Sequence, residues 1–160
     1  MEYNLVCGYD RLKEVEELFT EYTNMLVRLD PLFQESLDEQ NYSEELNHLE
    51  DKYGLPQGRL YLLMDGETPA ASIALHKIDE KTCELKRLYV KPGYRRQGIA
   101  EKLLDRIIEE ARETGYSYMV LDTMPALKEA IRLYEKKGFY RINKYNNNPF
   151  EKMLFYRKDL

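Results

Sequence analysis

Six residues, Arg95-Arg96-Gln97-Gly98-Ile99-Ala100, combine two guanidinium groups, a glycine and the start of an amphipathic run. Beyond them Leu103, Leu104, Ile107, Ile108 and Ala111 recur at helical spacing, with charged residues between them, which predicts a helix. The first N–H groups of a helix have no internal acceptor, and the aligned peptide dipoles put partial positive charge at that end. Gly98 lacks a Cβ, so a bulky anion can approach the backbone closely. The N–H groups of Gln97, Gly98, Ile99 and Ala100, with the charges of Arg95 and Arg96, therefore predict a phosphate or pyrophosphate cradle. A helix dipole alone contributes about 0.3–1 kcal/mol at an exposed site, so the N–H array and the arginines must act together. Taken without its surroundings, the hexapeptide reads as an ordinary helix start with exposed arginines.

Two familiar phosphate motifs do not fit. A Walker loop ends in Gly-Lys-Ser/Thr, and no such triplet follows here. A dinucleotide fingerprint needs three glycines; this turn has one, with Ala100 beyond it.

The elements that must position this turn are readable from residue 83 onward. Residues 83–90 form a strand ending in Leu88, Tyr89 and Val90, and Pro92 and Gly93 break it. The helix after Gly98 stops at Gly115, and 116–124 reads as an apolar, buried strand. A helix over 125–137 follows, with Pro125 at its first position and Leu127, Ala130, Ile131 and Tyr134 in a stripe. Strands over 139–145 and 153–158 flank an Asn146-Asn147-Asn148-Pro149 loop. Upstream, 3–8 is a short strand, and Asp10 is placed to cap a helix of about twenty residues that Asp30-Pro31 ends. Ser43 opens a second helix that Gly54 stops, and 59–64 and 70–78 form a hairpin around 65–69. A right-handed crossover makes strands 83–90 and 117–124 parallel, while the hairpins are antiparallel. The expected fold is α/β (α+β): a mixed, mostly antiparallel sheet with helices on both faces. No linker or repeat marks a boundary, so residues 1–160 are read as a single domain.

The chain is long enough for one sizeable core. No apolar run approaches the roughly 20 residues of a membrane span, and the first ten residues lack a signal peptide's basic and apolar regions. Cys7 and Cys83 are isolated thiols, which suits a reducing, cytoplasmic setting. His48 and His76 have no partner at ligand spacing, so no metal site is expected. Residues 1–57 carry 14 acidic and 4 basic side chains, a net −10; residues 58–160 carry 15 and 20, a net +5. This division is read as solvated helix faces, or as a basic half for an anionic cofactor beside an acidic half for a cationic acceptor. The acidic total argues against nucleic-acid binding.

Arg95-x-x-Gly98-x-Ala100, between a strand, a Lys-Pro turn and a long helix, resembles the acyl-CoA signature of the GNAT acetyltransferases. Leu133-Tyr134-Glu135-Lys136-Lys137-Gly138-Phe139 extends the likeness, which covers about 84–139 closely and the whole chain loosely. The resemblance implies a GNAT-like sheet with a splayed parallel strand pair, acetyl-CoA as co-substrate, an amine acceptor and no metal; homodimers are common in that family. It implies that the free backbone of Leu88, Tyr89 and Val90 pairs with the pantetheine arm. Tyr134 matches the family's general acid, which protonates the departing thiolate; as residues alone, it reads as a core aromatic on the helix stripe. Glu84 matches a base-bearing position; otherwise it is a surface carboxylate paired with Lys86. Tyr145, Asn147 and Asn148 belong to a loop that either lines the acceptor site or serves only as a turn.

The expected activity is acetyl transfer from acetyl-CoA to a primary amine of a small molecule, by direct attack in a ternary complex. A peptide or protein acceptor, and a non-catalytic acyl-CoA-binding module, are the two alternatives.

Overall fold

Alternating apolar residues in the middle of the chain build a meander that carries the rest. In the computed structural model, which describes residues 3–39 and 41–160, β2 (Arg59–Asp65), β3 (Thr68–Lys77) and β4 (Thr82–Val90) pair antiparallel in sequence order. β1 (Asn4–Cys7) adds to β2 at one edge. β5 (Tyr118–Thr123) joins β4 in parallel, β7 (Leu154–Asp159) pairs antiparallel with β5, and β6 (Tyr140–Ile142) closes the other edge. The sheet has seven strands in the order β1-β2-β3-β4-β5-β7-β6.

Helices cover both faces. On one face α5 (Ile99–Thr114) buries Leu103, Leu104, Ile107 and Ile108 against Ile73, Leu85 and Met119. Each such side chain contributes about 1.5–3 kcal/mol on full burial, which anchors the helix whose N-terminus matters most. α6 (Lys128–Lys136) packs Tyr134 into the same core. On the other face α1 (Leu12–Leu29) sets Val15, Leu18 and Phe19 against Leu60, Leu62 and Met64. α2 (Phe33–Glu39), α3 (Tyr42–Asn47) and α4 (Leu49–Tyr53) complete that layer; Phe33 and Leu37 meet Phe150, Met153 and Phe155.

Several local expectations are corrected. Asp10 does not cap α1: residues 8–10 form a 3-10 turn, and Arg11 stands at the cap with no side-chain bond. The expected single helix after Ser43 is two short ones, broken at His48, and α2 precedes them. Pro125 lies ahead of α6 in a turn rather than at its first position. The strand expected over 139–145 shrinks to three residues, because Lys144 to Phe150 are held in the loop by side-chain bonds.

The parallel pairing of β4 and β5 covers only Thr82–Tyr118, Cys83–Met119 and Glu84–Val120. β4 continues six residues to Val90, bonded on its β3 side alone. A register shift lies in this stretch, and Arg87 adopts φ +59° within it. The bulge turns β4 away from β5 and leaves a gap between the strand ends.

Candidate active site

The basic turn has the form its residues suggest. Gly98 stands at the cap of α5 with φ +76°, a value that favours glycine, and Arg96 is also left-handed at φ +65°. Nothing lies within 4 Å of where a Cβ on Gly98 would be, so the space above the turn is open. The first bond of the helix runs from the Lys102 N–H to the Gly98 carbonyl. Among the described residues, the N–H groups of Arg96, Gln97, Gly98, Ile99, Ala100 and Glu101 meet no acceptor. Successive free donors at a dipole's positive end suit an anion.

The two arginines differ. Arg96 is exposed with no ion pair among the described residues. Arg95 bends back: its Nε donates to the Val90 carbonyl at 2.8 Å, and its guanidinium lies 5.7 Å from the Tyr89 ring centre. Gln97 accepts a 2.6 Å bond from the Tyr3 hydroxyl.

The Lys91 N–H donates to the Ala70 carbonyl on the β3 side. Alternation along the strand then turns the backbone groups of Leu88 and Val90 toward the gap. Leu88, Tyr89, Val90, Arg95, Arg96, Gly98, Ile99 and Ala100 all line a cavity of about 480 Å³ that α1 and α6 close with Tyr22, Met25, Leu127 and Tyr134.

Tyr134 is 7% exposed, stands edge-on to Phe139, and has no hydrogen-bond partner for its hydroxyl among the described residues. Burial, reinforced by Tyr22 and the Asp122 carboxylate, pushes the phenol well above its ordinary range. It is a proton donor at any physiological pH.

Glu84 is not the surface partner of Lys86 that its position allowed. It is 6% exposed, and both oxygens are taken: His76 Nε2 lies 2.6 Å from one, and the Tyr145 hydroxyl donates to the other. Burial favours the neutral acid, but the Lys86 charge and the bonds from His76 and Tyr145 outweigh it and hold the carboxyl well below its usual range. Burial and the Glu84 charge push Tyr145 up in turn. Tyr53 packs edge-on to His76 at 6.0 Å.

A second cavity, of about 430 Å³, opens on this side of the sheet. Glu84, His76, Lys86, Lys52 and Asp122 line it, together with Tyr145, Asn146, Asn147 and Asn148. The asparagine loop is therefore both a turn and a wall of the cavity. A third, narrow cavity of about 20 Å³, a passage by its position, shares walls with both. It shares Tyr22, Leu88, Leu127 and Tyr134 with the first and Lys86 and Asp122 with the second. Cys83 is fully buried nearby, and burial pushes its thiol up to about 12, so it remains a thiol.

Residue patterns alone missed His76 and Asp122. Both left a signal: a histidine set across a hairpin from Glu84, and a carboxylate inside an apolar strand.

A row of free backbone donors at a helix start, a split parallel pair and cavities that share walls at the split suit an acyl-CoA-dependent transferase. The family model for "Acetyltransferase (GNAT) family" matches residues 14–139, and the chain belongs to that family. It is similar to an uncharacterised N-acetyltransferase of Dictyostelium discoideum, 30% identical over 93% of this chain and 94% of that protein. An acetyltransferase structure from Streptococcus agalactiae superposes with a TM-score of 0.80 at 26% identity, covering 99% of this chain and 98% of that one. A GNAT family acetyltransferase from Elizabethkingia anophelis with acetyl-CoA bound gives a TM-score of 0.56 at 26% identity, over 71% and 82%. The chain is an acetyl-CoA-dependent N-acetyltransferase.

Proposed function

We propose that the chain transfers the acetyl group of acetyl-CoA to the primary amine of a small molecule, by direct attack with both substrates bound. The observation that carries this reading is the narrow passage at the β4–β5 gap, whose walls include Tyr134, Lys86 and Asp122 and are shared in part with each of the two cavities. A thioester seated in the first cavity presents its carbonyl there, and an amine entering from the second meets it. The second cavity, at about 430 Å³, has the size of a small-molecule pocket.

The roles follow from position. Gln97, Gly98, Ile99 and Ala100 offer N–H groups to the diphosphate, with charge from Arg96 and from Arg95 once it leaves Val90. The freed backbone of Leu88 and Val90, beside Tyr89, pairs with the amide-rich pantetheine arm. A free N–H of that strand polarises the thioester carbonyl as charge builds on its oxygen. Holding both substrates in line supplies most of the acceleration. The amine must shed its proton, and Glu84, acting with His76, takes it directly or through water. Tyr134 protonates the departing thiolate; the apolar cavity raises the thiolate's proton affinity as it raises the phenol's. The unpaired thiols Cys7 and Cys83 support a cytosolic setting.

The test is release of CoA thiol with acetyl-CoA over a panel of small amines and of peptides. Faster release with small amines supports the reading; release with peptides alone overturns the small-molecule acceptor.

A further inference from the structure

Two carboxylates face the second cavity from the sheet, and only one is already committed. Glu84 is buried, with one oxygen on His76 and the other on Tyr145. Asp122 is half-buried on β5 and has no ion pair among the described residues. Its Oδ2 accepts from Asn146 Nδ2 at 2.9 Å and more weakly from Asn148 Nδ2 at 3.5 Å. These amides aim the carboxylate without neutralising it. Asn146 and Asn148 are themselves fixed, since the Asn148 N–H donates to Asn146 Oδ1 and the Phe150 N–H to Asn148 Oδ1.

Asp122 also holds a particular place. It lines both the passage and the second cavity, and its charge acts on Tyr134, Tyr22 and Tyr145. A fixed anion with no cation of its own, set at a narrow mouth, attracts an ammonium group more strongly than it would in open water. Lys86 lines the passage together with Asp122, and Lys52 and the Glu39 carboxylate line the cavity beyond; among the carboxylates of the described residues Asp122 alone belongs to both walls.

We propose that Asp122 is the specificity-determining residue for the acceptor: it binds the substrate as an alkylammonium at the mouth of the passage, facing Tyr134. This rests on the reading of the second cavity as the acceptor side, and it selects cationic primary amines over neutral isosteres. The Asn146–Pro149 loop then has a function beyond turning the chain, because it aims that carboxylate.

The test is direct binding, which does not depend on turnover. 1,4-Diaminobutane, propylamine and propanol are titrated by calorimetry into the CoA-saturated protein and into its Asp122→Asn and Asn146→Ala variants. The expected result is amine binding to the parent, with no propanol binding. Asp122→Asn, which keeps an acceptor for the two asparagines, weakens amine binding at least tenfold with CoA affinity changed less than twofold. Asn146→Ala weakens it about threefold, and supplies the test if Asp122→Asn does not fold. Equal amine binding to parent and variants overturns the proposal, as does no amine binding to the parent. If Asp122 governs binding but no amine is acetylated, this assignment stands and the small-amine transfer reading falls.

Discussion

His76 and Glu84 stand directly opposite each other on β3 and β4, with Nε2 and Oε1 2.6 Å apart. The other ring nitrogen, Nδ1, lies 3.0 Å from the Lys77 carbonyl. A carbonyl accepts only, and an ionised carboxylate accepts only. Nδ1 therefore donates to the carbonyl, and the Nε2–Oε1 contact is placed to hold a further proton when the pair takes one up. The pair is a two-site proton relay at the wall of the second cavity, held in place by Tyr145 and Tyr53.

Glu84→Gln tests whether that relay takes the amine's proton. The neutral amide carries no charge to hold the proton taken from the amine, so the pair loses its capacity as a base. The expected outcome is a fall in kcat/KM of about 10²-fold, in the range for loss of a positioned base, and an acidic limb displaced to lower pH. The measurement is the pH–rate profile of parent and variant over one amine. An unmoved limb would remove the pair from the mechanism.

Tyr134→Phe removes one oxygen from a buried ring and leaves its packing on Phe139 intact. If the phenol supplies the thiolate's proton, kcat drops about 10²-fold while the acetyl-CoA Kd changes less than twofold. Because burial lifts the phenol above its ordinary range, the parent shows no alkaline limb from Tyr134 below pH 10. Stopped-flow thiol release and equilibrium binding on the same variant separate the two quantities.

How much of this was legible beforehand depends on range. The cradle is local: a glycine at positive φ before a helix is written in six residues, and its geometry followed. The opening of the gap between β4 and β5 is not local. Alternation predicted β4 and β5 as parallel, but that their pairing ends at Glu84–Val120 depends on Arg87 adopting φ +59°, and arginine gives no local sign of that. The His76–Glu84 pair was in reach, since both residues lie four positions from Glu80, the centre of the turn, and antiparallel pairing must align them. Asp122 was overlooked because an apolar run was read for its hydrophobicity, and its one charged residue was the informative one.

Arg96→Ala probes the cradle. Arg96 is free of internal partners among the described residues, so its loss costs the fold little. If it meets the diphosphate, the acetyl-CoA Kd rises about tenfold, matching a charge-assisted hydrogen bond of about 1.5 kcal/mol. The difference shrinks as salt is raised. Arg95→Ala removes a bond to Val90 as well, so it weakens binding and also loosens the strand end. Titration at two ionic strengths distinguishes the pair; a salt-independent loss at Arg96 would contradict direct contact with the anion.

The bulge that opens the gap is itself held by an ion pair. Arg87 is buried and donates from Nε and Nη2 to the two oxygens of Glu45, both at 3.0 Å, and Lys52 adds a third bond at 2.8 Å. Burial opposes ionisation of Glu45, but Arg87 and Lys52 prevail and lower it from 4.5 to about 2. A carboxyl that titrates lower when folded stabilises the protein fully above its unfolded pKa, and that stability is lost as pH falls toward 2. A shift of this size corresponds to about 3 kcal/mol. Glu45→Gln leaves the Arg87 charge without its carboxylate, so unfolding free energy at pH 7 falls by about 3–5 kcal/mol. The parent loses most of that advantage between pH 5 and pH 2, and the variant loses less over the same interval. Urea melts at pH 7 and pH 3 measure both. Arg87 lies between Lys86 and Leu88 on the passage wall, so the variant's kcat falls further than its acetyl-CoA affinity; equal losses would mean that the clamp supports only the fold.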